Sequence, residues 1–125
     1  MSKVSIRNVT KLFPGHSAKD AAVLALDDVS FEIADREFCT IIGHSGCGKT
    51  TMLNLLAGFE QPTAGQILVN DTAVGPPTWE RSMVFQDYAL FPWLTVEQNL
   101  SFGLEMKKIP LEVRSDVIAQ QIRLV

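Results

Sequence analysis

The chain has 125 residues, 46% hydrophobic and 20% charged, proportions that fit one ordinary globular domain or part of one and exclude disorder, collagen-like repeats and a disulfide scaffold. Eleven Lys and Arg against fourteen Asp and Glu leave a net charge of -3, so there is no overall basic field for gripping nucleic acid. The first residues alternate polar and apolar without the apolar core of a secretory signal, and no apolar run is long enough to cross a bilayer, which points to the cytosol.

In chain order, Val4 and Ile6 alternate with Ser5 and Arg7, and Val29, Phe31 and Ile33 alternate with Ser30 and Glu32. This period of two predicts two half-buried strands. Between them Pro14, Gly15, His16 and Ser17 carry turn chemistry, and residues 18–20 read as solvated linker. Asp35, Arg36 and Glu37 form a polar turn, and the nearly unbroken apolar run over residues 38–42 predicts a strand covered on both faces. Cys39 is then a core thiol and Cys47 a small loop residue; their spacing matches neither a redox nor a zinc pattern.

After Gly48, good helix formers with Met52, Leu53, Leu55, Leu56 and Ala57 apolar almost all the way round predict a buried helix that ends at Gly58. Residues 66–69 and 72–74 predict strands joined by Asn70 and Asp71, which tolerate left-handed turn conformations. A short apolar run over residues 82–85 ends at Gln86. Thr95 with Gln98 fits a capping box, followed by a helical face of Val96, Leu100, Gly103 and Leu104. A further helix from Pro110 puts Leu111, Ile118, Ile122 and Val125 on one stripe that reaches the last residue without a stop signal.

The chemistry lies in GHSGCGKTT, residues 43–51. Gly43, Gly48, Lys49 and Thr50 occupy the fixed places of G-x-x-x-x-G-K-[ST], the phosphate-binding P-loop. Gly43, Gly46 and Gly48 can adopt backbone angles closed to other residues, so successive N–H groups can turn inward and form an anion nest. The helix that begins there adds its unsatisfied N–H groups and the positive end of its dipole. Lys49 can reach the β and γ phosphates, and the Thr50 hydroxyl can enter a Mg²⁺ shell. ATP or GTP with magnesium is the implied ligand. His44, Ser45, Cys47 and Thr51 join the loop without requiring side-chain contact to phosphate, and a lone loop histidine such as His44 reads as solvated rather than as a base.

Residues 83–100, MVFQDYALFPWLTVEQNL, resemble the Q-loop region of ABC importer ATPases. With VTKLF at 9–13, LDDVSFEI at 26–33 and LLAGFEQPTAGQILVN at 55–70, the resemblance covers nearly the whole chain. It implies an α/β P-loop NTPase fold of ABC type, N-terminal portion: an antiparallel β subdomain, a P-loop strand–helix core through the Q-loop over residues 1–92, and the start of a helical subdomain over 93–125. It implies that the Gln86 amide reaches Mg²⁺ and the attacking water, sharing the metal with Thr50 and the catalytic role with Lys49. It further implies that Phe13 stacks on adenine, and that Tyr88, Leu90, Phe91 and Trp93 are candidate contacts for a transmembrane permease.

The function so implied is an ATP-binding subunit coupling hydrolysis to import of a small solute, in a segment similar to importers for nitrate, sulfonates and taurine. Its partners would be permease subunits, a second ATP-binding subunit and, indirectly, a solute-binding protein, at the inner face of the membrane. The sequence departs from the family in lacking an LSGGQ-type signature, a Walker B strand with its catalytic Glu, a D-loop and a switch His. The nearest rival for Walker B, MVFQD, is interrupted by Gln86. The expectation is therefore roughly the first half of the family's domain, incompetent in hydrolysis by itself. Two alternatives stay open: a truncated nucleotide-binding fragment without turnover, and a non-transport ABC ATPase, against which the importer-like segment speaks.

Overall fold

The computed structural model describes residues 3–15, 21–87 and 89–124, so the expectations for His16, Ser17, residues 18–20, Tyr88 and Val125 lie outside the described residues. The elements are β1 (Val4–Phe13), β2 (Val23–Ile33), α1 (Lys49–Ala57), β3 (Ala64–Val69), β4 (Thr72–Ala73), α2 (Val96–Met106) and α3 (Leu111–Leu124). They divide into two compact units, Met1–Met83 and Val84–Val125.

In the first unit the strands form one antiparallel sheet in the order β2-β1-β3-β4. The alternating apolar residues meet across it, with Ile6 opposite both Phe31 and Ile67. The β1–β2 register shifts after Ile6, where Asn8 (φ 48°) and Asp28 (φ 46°) take left-handed angles and Asn8 Nδ2 donates to Asp28 Oδ1 at 2.8 Å. Such irregularities re-aim the remainder of a strand, and β1 ends with Phe13 opposite Val23. Asn70 and Asp71 (φ 50° and 60°) form the predicted tight turn between β3 and β4. At the start of β1, the Lys3 ammonium bonds the Glu32 carboxyl at 3.0 Å and, with the Ser5 hydroxyl, holds its pKa below the ordinary value.

Helix α1 lays Met52 and Leu55 onto Ile6, Val9, Leu26 and Ile67, the buried core of the unit. Each such side chain contributes about 1.5–3 kcal/mol by leaving water. The helix stops at Gly58, whose left-handed φ of 86° lets its N–H turn back to the last carbonyls. Burial is one-sided: Leu53 is exposed, because a single sheet face meets the helix.

Residues 38–42 form no strand, contrary to the apolar run. A strand needs a neighbour for its N–H and C=O groups, and none of the four ladder strands pairs with this segment. Phe38 is accordingly 92% and Ile42 89% exposed, and Cys39 is exposed rather than a core thiol. The run at residues 82–85 is likewise outside any ladder, with Val84 97% exposed.

In the second unit, α2 opens with the predicted capping box: Gln98 N–H donates to Thr95 Oγ1 at 3.2 Å and Thr95 N–H to Gln98 Oε1 at 2.8 Å. The Asn99 side chain ties the preceding turn, accepting from Phe91 N–H at 2.9 Å and donating to the carbonyls of Phe91, Leu94 and Thr95. The Phe91 ring packs on Phe102 and Trp93 with centroids 4.7 and 5.6 Å apart. Arg114 on α3 bonds Glu105 on α2 at 2.7 Å. Among the described residues of the predicted α3 stripe only Ile118 is buried, while Leu111 and Ile122 are exposed. Among the described residues no helix is long and apolar enough to cross a membrane.

Candidate functional site

The loop at residues 43–48 is shaped by where its glycines must go. Gly48 is the N-cap of α1 at φ 92°, and a Cβ there would lie 2.5 Å from the Ala25 carbonyl oxygen and 2.8 Å from Leu26 Cδ2. The turn from loop to helix therefore sits against the backbone of β2, an approach only glycine permits. Gly46 (φ 77°) needs glycine for its angle alone, since a Cβ would meet nothing there. At Gly43 a Cβ would approach Cys47 Sγ to 2.5 Å, a side chain that can give way.

No side chain caps the α1 N-terminus, and no acidic residue occupies its first turn. The first-turn N–H groups and the helix dipole thus face outward without a protein anion to answer them, which suits a bound phosphate. Lys49 adds a full positive charge. Its ammonium curls back over the loop and donates to the carbonyls of Gly43 at 2.8 Å and His44 at 2.6 Å, with Cys47 Sγ at 3.6 Å. His44 is exposed, with Nδ1 2.8 Å from the Ser45 carbonyl, and nothing marks it as a base.

The sheet brings Phe13 to this loop. Phe13 and Val23 end the β1–β2 ladder, and Ala25 on β2 touches the Gly48 turn. The result is a cleft of about 290 Å³ with Phe13, Val23 and Leu24 on one side and Gly46, Gly48, Lys49, Thr50 and Thr51 on the other. An aromatic ring, a set of open helix N–H groups, an ammonium and the exposed Thr50 hydroxyl thereby share one space. Sequence reasoning had no signal for one further neighbour: Lys11 Nζ lies 4.8 Å from the Phe13 ring centroid.

A larger cavity of about 500 Å³ between α1 and the strands, lined by Val4, Leu53, Leu56, Val69 and Arg81, contains no residue of the P-loop. Size does not mark the site; the convergence of donors does. Gln86 belongs to the second unit, where it is exposed at a bend. Leu90 and Trp93 are also exposed there, while Phe91 is half-buried in its aromatic cluster.

The family profile described as ABC transporter matches residues 26–125. An ABC transporter ATP-binding protein of Methanocaldococcus jannaschii is 42% identical over 98% of this chain and 45% of its own length. The bicarbonate transport ATP-binding protein CmpC of Synechococcus elongatus is 40% identical over 98% of this chain and 18% of its own. The taurine import ATP-binding protein TauB of Pelagibacter ubique is 48% identical over 86% of this chain and 40% of its own. The chain spans less than half the length of these relatives. Among solved structures, a dimeric ATP-binding cassette in a post-hydrolysis state bound to ADP and Pi superposes with a TM-score of 0.78 at 28% identity, covering 94% of this chain and 54% of the other.

Proposed function

The chain belongs to the ABC transporter family, and from that premise we propose that it is the N-terminal part of an ATP-binding subunit whose nucleotide occupies the cleft between Phe13 and the P-loop. The observation that carries the reading is that Phe13, Lys49 and Thr50 line one cleft at an uncapped helix N-terminus. Adenine stacks on Phe13, a contact that needs only the flat face of the base. The N–H groups of residues 43–51, from Gly43, His44, Ser45, Gly46, Cys47 and Gly48 into Lys49, Thr50 and Thr51, cradle the phosphates, and the Lys49 ammonium exchanges its loop carbonyls for β and γ oxygens.

The exposed Thr50, which lines the cleft, suits magnesium, which keeps most of its shell as water and substrate phosphate. Thr50, in the cleft, is the residue that would hold Mg²⁺, which would neutralise charge developing on the phosphates. The role of Gln86 rests on the resemblance of residues 83–100 to a Q-loop, as do the subdomain limits 1–92 and 93–125. Lys49 and Gln86 act by binding and orienting.

The relatives named for bicarbonate transport and taurine import support a subunit that couples hydrolysis to import of a small anionic or zwitterionic solute. Exposed Leu90 and Trp93 suit contact with a permease at the cytoplasmic face of a membrane, and the dimeric ADP-bound cassette supports a second ATP-binding subunit as partner.

Calorimetric titration of the chain with Mg-ATP tests the site. Lys49→Ala should weaken binding about 10- to 100-fold, the loss of one or two charge-assisted bonds. Equal affinity in that variant sinks the assignment. The chain alone should show no steady phosphate release, and turnover abolished by Lys49→Ala would contradict the half-site reading.

A further inference from the structure

Lys11 lies outside the P-loop, in the VTKLF segment that ends at Phe13, and it is held on three sides. Its ammonium donates to Glu60 Oε2 at 2.7 Å and to the Gln61 carbonyl at 2.8 Å, and lies 4.8 Å from the Phe13 ring centroid. An ammonium has three N–H groups; here a carboxylate, a carbonyl and an aromatic ring face answer them. The Lys11 side chain is only 11% exposed, so the pair is partly shielded from solvent and salt.

The acceptors come from the segment after α1. Gly58 ends the helix, and residues 60–63 then clasp the end of β1: Glu60 and Gln61 hold Lys11, Thr63 N–H donates to the Thr10 carbonyl at 2.8 Å, and Leu12 N–H donates to Thr63 Oγ1 at 3.0 Å. One helix therefore has the P-loop at its N-terminus and leads, past its C-terminus, into the clasp on the strand that ends at Phe13.

We infer that Lys11, locked by Glu60, is a positioning residue for the nucleotide base: it fixes the Phe13 ring as one wall of the cleft. This rests on the reading of Phe13 as the adenine-stacking residue. A cation within about 6 Å of a ring centroid attracts the ring's electron-rich face and so restrains its rotation. It also draws electron density from the ring, which reduces π–π repulsion with a stacked base. The role predicts an effect on the base and none on the phosphates.

The test compares the affinities of ATP and inorganic tripolyphosphate for the 125-residue chain with Mg²⁺ present. Lys11→Met keeps the apolar stem and removes the charge. It should weaken ATP about two- to fivefold, the range of a cation–π contact, while leaving tripolyphosphate unchanged. Lys11→Arg should restore the ATP-to-tripolyphosphate ratio, and Glu60→Gln, which keeps an acceptor but not the ion pair, should fall between. An unchanged ATP affinity in Lys11→Met, or a parallel loss for both ligands, overturns the inference, the latter marking Lys11 as merely structural. A Phe13→Ala arm separates the two levels. If it leaves the ratio unchanged, the base-stacking reading itself fails; if it lowers the ratio while Lys11→Met does not, only the role of Lys11 fails.

Discussion

A methyl group on Gly48 would lie 2.5 Å from the Ala25 carbonyl oxygen in a backbone held at φ 92°, whereas one on Gly46, at φ 77°, would meet nothing. The two glycines separate conformational strain from steric exclusion. Gly46→Ala should cost about 1–2 kcal/mol, the left-handed penalty alone. Gly48→Ala adds overpacking against β2 and should cost about 2–5 kcal/mol. Urea midpoints measured on both variants check the order, and equal midpoints would mean that the Gly48 turn does not press on β2. At this scale the phosphate loop was legible, because the spacing of Gly43, Gly48, Lys49 and Thr50 is itself the constraint of the chemistry. Lys11 was not: its partners Glu60 and Gln61 lie 49 and 50 residues away and meet it only once α1 has been capped and turned back.

Elements governed by local rules matched their sequence signals closely. Thr95 and Gln98 make both bonds of the capping box, Gly58 ends α1, and Asn70 with Asp71 turns the β3–β4 hairpin. Each rule acts within a few residues, so the chain carries it in plain order. A strand over residues 38–42 was expected from apolar content, and content alone cannot supply a ladder partner. On the α3 stripe Ile118 is buried while Leu111 and Ile122 are exposed for a related reason: periodicity says which residues share a face, not that a surface covers it. The local rules also rank two substitutions in the second unit. Thr95→Ala removes one cap and should destabilise α2 by about 1 kcal/mol. Asn99→Ala deletes four bonds and leaves half-buried backbone groups of Phe91 and Leu94 unanswered, so its cost should be larger, about 1–3 kcal/mol. Amide exchange within α2 measures both, and the ranking fails if Thr95→Ala opens the helix more than Asn99→Ala.

Over the whole chain, stability is set by how many neighbours each segment has, and β1 has the most. It pairs with β2 along one edge and β3 along the other, and its Ile6 and Val9 sit in the α1-covered core. Residues 38–42 and 82–85 are joined to no ladder and hold Phe38, Ile42 and Val84 in solvent. A backbone amide exchanges through the least costly opening that frees it, so paired core amides report nearly global unfolding while unpaired ones need no opening at all. Hydrogen exchange on the 125-residue chain should therefore find the amides of Ile6, Val9 and Ile67 protected about 100-fold or more relative to those of Phe38 to Ile42, a gap of about 3 kcal/mol in opening free energy. The P-loop helix should lie between, because Met52 and Leu55 anchor one face while Leu53 is wet. Saturating ATP should raise protection at the N-terminus of α1 and along the end of β1 near Phe13, and leave residues 38–42 fast, since no contact of the cleft reaches them. Slow exchange over residues 38–42 in the free chain would overturn this picture, for it would mean that these amides already have a strand beside them.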